Sequence, residues 1–422
     1  MASLKKNVEQ VLNARGLSRA ELGSRIGLSE SDLVSFLRAP PKRSEGTLKK
    51  ISRELLVPDF FLFAESVPIE ETRFPDFRLS TPSRSGYARE TLQWMDLAAS
   101  ILSQAEDEPA KPKSDRSLRA AVGPTSSAET AAQNLRDKLD FTFELQAEAR
   151  DARTLFAWLR RQIETLNVFV LQLSFPEKDG AGFCLTGEYY DVIVLNTKKQ
   201  PPARRLFTLA HEIFHCVLGK SGVSDPFVIN NSIERRCNQF AAEFLAPAPL
   251  IRQVAAATIS SSTLEIDQLK RFSRATKLSM HASVIRLVGL GIYQPSAIGA
   301  WQRFIRANGD PEMSAGGGGG RQEEWKYKLA KYGFKFAEVF GEAKANGHYD
   351  DYEFYQLSGI KPKYQDDYIE KSTRRRNRRR RQRGCLAFRL RSSSTSKQYG
   401  CGQRHREMKH RSFSATWRLG RR

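Results

Sequence analysis

Three residues near the middle of the chain, His211, Glu212 and His215, have the types and the spacing of a metal-dependent hydrolase site. On an α-helix, residues four apart lie on one face with Cβ atoms about 5–6 Å apart, so both imidazoles can bind one ion. Glu212 lies about 100° round the helix, beside that ion, where a carboxylate can act as a general base. The H-E-x-x-H pattern therefore predicts a Zn²⁺ site that activates water for hydrolysis.

The segment around the motif predicts the helix on which this geometry depends. Arg205–Gly219 is apolar around the two histidines and stops at a glycine, the residue type that commonly follows a helix C-terminus. Two histidines without partners would be costly in so apolar a segment. The alternative interpretation is a pair of core histidines that donate to backbone carbonyls.

A zinc site needs a third protein ligand, and the next helical segment, Ile233–Pro247, offers two candidates. Glu234 falls at the edge of the apolar stripe of this segment, whereas Glu243 lies on the opposite, solvent-facing side. Glu234 is therefore the predicted ligand. Its alternative role is that of a carboxylate placed near a helix N-terminus for the macrodipole. Asp225 and Glu243 stay open as alternative ligands.

These two segments together resemble the ImmA/IrrE-like metallopeptidases. In that family the motif helix, here FTLAHEIFH, precedes a helix of the form E-x-x-x-N-x-x-A-A-x-x-L-x-P, here IERRCNQFAAEFLAP. The resemblance implies that His211, His215 and Glu234 bind zinc, with Glu212 as the general base. It also implies a substrate, because known members cut helix-turn-helix repressors and so switch genes on. It covers roughly residues 60–300.

Residues 1–64 read as a run of short helices. Ser18 begins one helix with Glu21 three residues later, and Ser29 begins the next with Asp32 at the same position, as in a capping box. Gly27 marks the turn between them, which is typical of a helix-turn-helix unit. The segment resembles the repressor-type (XRE-like) domain that often precedes this peptidase in one chain.

The second helix of that unit would enter the DNA major groove. The candidate DNA-binding residues are Arg19, Ser29, Ser31 and Ser35. Glu30 and Asp32 on the same helix would repel phosphate, which argues against this role. The alternative is a protein-interaction module that pairs with the repressor to be cut.

Two strand-like runs precede the motif helix, Asn167–Phe175 and Asp191–Asn196, with a glycine-rich turn between them. They are expected to form an antiparallel pair against the zinc helix. In thermolysin-like peptidases an edge strand of this sheet holds the substrate, although the sequence does not show which strand is the edge. Ordinary core strands without a substrate role are the alternative.

The expected fold class is mainly α with a small antiparallel β-sheet (α+β), a helix-turn-helix bundle joined to a minimal thermolysin-like (gluzincin) zinc peptidase domain. The expected organisation is a helix-turn-helix domain over 1–64, an extended segment and linker over 65–125, the zinc peptidase domain over 126–300, a Gly-rich hinge over 301–320, a small helical appendage over 321–370 and a basic disordered tail over 371–422. The peptidase domain is expected to begin near Ser126, with a capping box that closes at Glu129.

The net charge of +21 is concentrated at the C-terminal end. Residues 371–422 hold 19 Lys and Arg against one acid, a net charge of +18, which leaves +3 for residues 1–370. The tail could bind nucleic acid or an acidic partner without specificity. The alternative, which has equal weight, is a disordered tail that has no selected function.

The cellular compartment is expected to be the cytoplasm. No apolar run reaches 18 residues, and the N-terminus lacks the apolar stretch of a signal peptide, so no membrane role is expected. The five cysteines show no CxxC pair and are odd in number, which is typical of a reducing compartment. Cys216 and Cys237 lie near the predicted ligands but are turned off their directions on the helices, so they are weaker candidates for extra ligands.

The function favoured by these patterns is that of a zinc-dependent endopeptidase that regulates transcription by cleaving a helix-turn-helix repressor. The alternative function is that of a DNA-binding regulator whose peptidase-like domain senses metal or a partner without cutting. Glu212 argues against the alternative, because a pure sensor does not need a general base.

Overall fold

The computed structural model describes residues 2–41, 44–64, 87–124, 127–224, 232–313 and 323–373. The α-helices are α1 (Ala2–Arg15), α2 (Arg19–Ile26), α3 (Glu30–Arg38), α4 (Glu45–Leu55), α5 (Arg89–Asp107), α6 (Leu118–Val122), α7 (Ala128–Lys138), α8 (Phe143–Glu148), α9 (Ala152–Glu164), α10 (Pro202–Val217), α11 (Ser232–Leu245), α12 (Ala248–Thr258), α13 (Ile266–Thr276), α14 (Met280–Gly289), α15 (Ser296–Asn308), α16 (Glu324–Ala345) and α17 (Asp351–Ser358). The strands are β1 (Val168–Leu173), β2 (Gly182–Thr186), β3 (Asp191–Asn196) and β4 (Gly222–Ser224). Short 3-10 helices cover Asp59–Phe63, Ser114–Arg116 and Glu177–Asp179.

Helices α2 and α3 begin at the serine caps that the sequence predicts. Ser18 accepts from the Glu21 amide while the Glu21 carboxylate accepts from the Ser18 amide, so the predicted capping box is confirmed. Helix α2 ends at Gly27, whose φ of 80° requires the freedom of glycine. Ser29 caps α3, but the Asp32 carboxylate bonds the Ser29 hydroxyl rather than its backbone amide. The first four helices enclose their own buried apolar residues, Leu22, Ile26, Leu33 and Leu37 among them.

The described part of the stretch predicted as an extended segment and linker, residues 87–124, is largely helical. Helix α5 covers Arg89–Asp107 and α6 covers Leu118–Val122. Leu118 and Val122 of α6 are buried in the core, and Ser117 caps this helix by accepting from the Ala120 amide. The Ala- and Ser-rich composition here reflects small core residues and helix caps rather than a linker. The predicted cap residue Ser126 lies outside the described residues, and Ser127 caps α7 by accepting from the Thr130 amide.

The sheet is mixed, so the predicted antiparallel pairing of the first and last runs is wrong. The strand order is β1-β3-β2-β4, with β1 parallel to β3 and the other pairs antiparallel. The glycine-rich stretch, predicted as a turn, contains β2. Since β2 forms a hairpin with β3, β3 runs in the same direction as β1. The coarser expectation holds: the described chain is mainly helical with one small sheet, an α+β arrangement.

Both faces of the sheet are buried, which is why its strands read as continuous apolar runs. One face, with Val168, Val170, Cys184 and Ile193, packs in the core that includes α9 and α10. The other face packs against α5 and α16, and its members are Phe169, Leu171, Phe183, Val192 and Val194. The motif helix therefore rests on one side of the sheet, and the sheet is supported from behind by α5 and α16.

Helix α16, which lies in the predicted helical appendage, is part of this support. Its Phe340 ring lies 6.0 Å from the Phe169 ring of β1. The helix is kinked at Gly333, where φ is 81°, and the Phe334 amide freed by the kink donates to the buried Glu164 carboxylate at 3.0 Å. Arg160, one turn before Glu164, donates to the Ala330 carbonyl at 2.7 Å. Side chains of helix α9 therefore hydrogen-bond directly to the backbone at the kink.

Only residues 301–313 of the predicted hinge over 301–320 lie within the described residues. Residues 301–308 are the second half of α15 and so are not a hinge, because Trp301 is buried in the core. The five glycines lie outside the described residues, as do Asp225 and the basic tail from residue 374 onward. Among the helices that are described, none combines the length and apolarity needed to cross a bilayer.

Candidate metal centre

Helix α10 brings the two motif histidines together. It begins with Pro202 in its first turn, where the missing amide hydrogen costs nothing. The Nε2 atoms of His211 and His215 lie 3.1 Å apart. Both side chains and that of Glu212 are at most 1% exposed. The four-residue spacing thus places two imidazole nitrogens at one buried point.

Helix α11 adds Glu234 to this point. One carboxylate oxygen lies 3.1 Å from His211 Nε2 and the other lies 3.2 Å from His215 Nε2. Burial raises the pKa of Glu234, but the two imidazoles, when protonated, donate to the carboxylate and outweigh burial, which holds this pKa below its usual value. The alternative glutamate, Glu243, instead forms an ion pair with Arg286 at 2.6 Å.

The distances between these donor atoms fit a zinc ion. Zinc binds imidazole nitrogen and carboxylate oxygen at about 2.0–2.2 Å in a tetrahedron, which places neighbouring donor atoms about 3.3 Å apart. The separations of 3.1, 3.1 and 3.2 Å are close to that value, with a different Glu234 oxygen facing each imidazole. The two Nε2 atoms and the Glu234 carboxylate therefore surround a space of the size of a zinc ion.

Asn238, one turn after Glu234, explains why these atoms need a cation between them. His211 donates from Nδ1 to the Asn238 side-chain oxygen at 2.9 Å, so in the neutral imidazole Nε2 carries the lone pair. A lone pair 3.1 Å from a carboxylate oxygen is repulsive unless a proton or a metal cation lies between them. The sequence analysis did not identify Asn238 as a site residue, although it is the asparagine of the family pattern.

Cys237 lies closer to the histidines than its position on the helical wheel suggests. Its sulfur and one nitrogen each from His211 and His215 lie within 4.8 Å of one another, and all three residues are buried. Burial raises the pKa of the Cys237 thiol, which keeps it protonated at neutral pH when no metal is bound. Cys216 is different, because its thiol hydrogen-bonds with Cys184 on β2.

Glu212 packs against the first residue of β2. A Cβ added to Gly182 would lie 3.0 Å from Glu212 Oε1 and 2.9 Å from the Val194 carbonyl oxygen. The absence of a side chain at Gly182 therefore allows the Glu212 carboxylate to lie against the sheet. Sequence reasoning missed this residue, because the glycine was assigned to a turn.

The C-terminal end of α11 is held by three buried or half-buried side chains. Arg136 donates to the Phe244 carbonyl, Gln146 donates to the Leu245 carbonyl, and Arg286 donates to the Ala246 carbonyl. These bonds satisfy carbonyls that a helix end leaves without partners. They also fix the orientation of α11, and with it the position of Glu234.

His281 does not join the three donor residues. Its Nδ1 accepts a hydrogen bond from the Trp301 indole at 3.1 Å. Burial, and then the nearby Arg204, lowers the pKa of His281. Its neighbour Met280 donates its amide to Glu312, a carboxyl whose pKa burial raises to about 7.

The candidate DNA-binding residues lie on α2 and around α3. Arg19 forms an ion pair with Glu9 at 2.7 Å, and Ser29 caps α3 and lies 2.9 Å from the Ser31 hydroxyl. Ser31 and Ser35 are exposed on α3. Ser31 and Ser35 are therefore accessible, whereas Arg19 is paired with Glu9.

Other basic groups near this surface are also engaged within the chain. Arg15 forms an ion pair with Asp96 of α5, and Arg25 donates to the Tyr87 carbonyl at 2.6 Å. The first turn of α3 presents the acids Glu30 and Asp32 to solvent. This distribution of charge is unfavourable for binding phosphate.

Comparison with known proteins agrees with the geometry of the site. Residues 163–287 match the peptidase M78 family, described as the IrrE N-terminal-like domain. The match covers a little under a third of the 422-residue chain, from the end of α9 to α14, and includes both motif segments. A comparison with curated proteins gave no match. The similarity supports a relationship to the ImmA/IrrE peptidases, over a narrower range than the sequence motifs suggested.

Proposed function

We propose that this protein is a zinc-dependent endopeptidase in which His211, His215 and Glu234 hold the metal and Glu212 is the general base. The observation that carries the proposal is the convergence of two imidazole nitrogens and a carboxylate within 3.2 Å in a buried site. The similarity of residues 163–287 to a peptidase family supports the same conclusion. Three protein ligands leave one coordination position for water, as in catalytic zinc sites.

The chemistry divides between the metal and the protein. When bound, Zn²⁺ lowers the pKa of a water molecule toward about 7 and polarises the scissile carbonyl. Glu212 takes the proton of the attacking water and then delivers it to the leaving amine. Asn238 holds His211 in the tautomer whose Nε2 can bind the metal. Gly182 lets the Glu212 carboxylate lie against β2.

We further propose that the substrate pairs with β4 as an added strand. Helix α16 packs along β1, and Arg160 donates to the Val170 carbonyl, so this side of the sheet is covered. Within the described residues no further strand pairs with β4, which lies at the other side. Since β4 follows α10 and precedes α11, a strand added here would run past the metal centre.

The proposed substrate, by resemblance to the family, is a repressor of the helix-turn-helix type. We propose that residues 1–64 form a helix-turn-helix unit that recognises a protein partner. The pairing of Arg15 and Arg19 with acids, and the exposure of Glu30 and Asp32, support protein binding over DNA binding. Retention of a DNA fragment library by residues 1–64 as firmly as by a known repressor would contradict this assignment.

The zinc content of wild type and two variants tests whether Glu234 is a metal ligand. Full-length wild type, Glu234→Ala and Glu243→Ala are loaded with zinc, dialysed against a weak chelator and analysed by mass spectrometry. We expect one zinc per chain in wild type and in Glu243→Ala, which is the matched control on the same helix, and at least about tenfold weaker binding in Glu234→Ala. Equal zinc in both variants would exclude Glu234 as a ligand.

Two variants of the motif helix separate binding from catalysis. Glu212→Gln should keep its zinc and lose cleavage of a fluorogenic peptide library, because only the general base is removed. His215→Ala should lose both. Full zinc content in His215→Ala would exclude the ligand set, and cleavage by Glu212→Gln at the wild-type rate would exclude Glu212 as the base.

A further inference from the structure

One turn of α11 presents two different metal-ligand types to the same histidines. Glu234 contacts both imidazoles, and Cys237 follows three residues later on the side of α11 that faces α10. The Cys237 sulfur lies within 4.8 Å of a nitrogen of each histidine. All four side chains are at most 1% exposed to solvent. The metal centre therefore contains four ligand-type side chains, whereas a catalytic zinc site needs only three.

On the basis of the zinc site proposed above, we propose that Cys237 is a fourth protein ligand, which closes the coordination shell and keeps the peptidase latent. A catalytic zinc site has three protein ligands and an open position, whereas a site with four protein ligands is closed to water and substrate. Cys237 thus decides between the two states. The peptidase becomes active when the sulfur leaves the metal and water takes its position.

The geometry permits this ligation with a small movement. Zinc binds thiolate sulfur at about 2.3 Å and imidazole nitrogen at about 2.0–2.1 Å, so the two donor atoms lie about 3.6 Å apart in a tetrahedron. The sulfur therefore needs to approach the nitrogens by about 1 Å from an outer limit of 4.8 Å. A partial rotation of the Cys237 side chain about χ1 covers that distance.

The ligation step is balanced without an oxidant. The S–H bond of Cys237 breaks, the sulfur donates its electron pair to Zn²⁺, and the proton is released to solvent, as in other thiolate sites. Neither the sulfur nor the metal changes oxidation state. When the sulfur leaves, it takes up a proton again and water enters the metal shell.

The other two buried thiols of the described chain serve as matched controls. Cys216 and Cys184 hydrogen-bond with each other, and Cys184 also donates to the Lys220 carbonyl at 3.5 Å. They are as buried as Cys237 and belong to the same hydrophobic core. A general effect of thiol loss on folding would therefore appear in all three serine variants.

Cobalt(II) substitution tests the proposal directly, because thiolate bound to cobalt gives an intense near-ultraviolet charge-transfer band that imidazole and carboxylate do not. Full-length wild type, Cys237→Ser, Cys216→Ser and Cys184→Ser are freed of metal and titrated with Co²⁺. We expect the band in wild type and in both controls and its loss in Cys237→Ser, with one cobalt still bound. X-ray absorption at the zinc edge of wild type, which needs no variant, should show one sulfur at about 2.3 Å.

The possible outcomes separate this inference from the proposed zinc site. One cobalt per chain without the band, or a band that persists in Cys237→Ser, overturns Cys237 as a ligand and leaves the zinc site standing. Wild type that binds no cobalt and no zinc overturns both. Peptide hydrolysis decides the latency, because Cys237→Ser should cleave faster than wild type; equal or slower cleavage with the band present in wild type overturns it.

Discussion

Replacing Gly182 with alanine asks whether β2 sets the position of the general base. The added Cβ would lie 3.0 Å from Glu212 Oε1, 2.9 Å from the Val194 carbonyl oxygen and 3.1 Å from Thr208 Cγ2. Ordinary van der Waals contact begins at 3.4 Å, so the Glu212 oxygen must move by about 0.4 Å. The Val194 oxygen belongs to the backbone of β3, in the middle of the sheet, and yields less easily.

The expected loss of activity follows from that displacement. A misplacement of about 1 Å costs roughly 10²-fold in rate, so about 0.4 Å should lower kcat by roughly five- to tenfold. The overpacking itself should lower the free energy of unfolding by about 1–3 kcal/mol. Zinc binding should be unchanged, because the substitution does not touch His211, His215 or Glu234.

The assay compares kcat on a fluorogenic peptide, urea unfolding and zinc content in wild type, Gly182→Ala and Gly289→Ala. Gly289 in α14 is the matched control, since a Cβ there meets no heavy atom within 4 Å. Gly289→Ala should keep wild-type activity. If Gly182→Ala hydrolyses peptide as fast as wild type with normal zinc content, β2 does not position Glu212 and the reasoning fails.

Three further substitutions test the surroundings of the site. Asn238→Ala should weaken zinc binding by about 10–100-fold in a chelator competition, because His211 loses the acceptor that fixes its tautomer; unchanged affinity would contradict this. Burial raises the pKa of Glu312 from 4.5 to about 7, so its stabilising contribution is complete below pH 4.5 and is lost as pH rises through 7. Urea unfolding should show this loss, on the order of 3 kcal/mol, in wild type and not in Glu312→Gln. Gly333→Ala should lower the free energy of unfolding by more than about 1 kcal/mol, because φ is 81° and the Cβ would strike the Glu164 carboxylate; an unchanged unfolding midpoint would refute the role of the kink.

The convergence of His211 and His215 could be predicted from sequence because it depends on one helix. A spacing of four residues fixes the relative direction of two side chains whatever else the chain does. Glu234 required one more step, the assumption that the apolar stripe of α11 faces α10. The structure places it there, because Phe240 of this stripe stacks on Phe214 of α10 at 4.6 Å.

The direction of the strands could not be predicted because it depends on a strand that lacks a clear signal. Gly182 and Gly187 bracket β2, and only Phe183, Cys184 and Leu185 between them are apolar. Such a short run is compatible with a turn. Its pairing with β3 is a long-range property, and it alone decides that β3 runs parallel to β1.

Cys237 was only a weak candidate in the sequence, and Gly182 was missed, for a related reason. Their roles depend on how α11 and β2 approach α10, and the approach of two elements is not written in the periodicity of either. On a helical wheel, residues i and i+3 point in different directions, so Cys237 lies away from the direction of Glu234. In the folded chain α11 packs closely enough on α10 that both Glu234 and Cys237 reach the histidines.

The segment that matches the peptidase family depends on residues outside it. The sheet face behind the motif helix carries Phe169, Leu171 and Val192, and α5 and α16 cover it from positions before and after the matched range. Arg160 and Glu164 also bind the backbone of α16 at its kink. Removal of α16 would leave a buried ion pair without its partners and an apolar face open to water. In this chain the sheet behind the metal centre is therefore supported by α5 and α16, which lie on either side of the matched range.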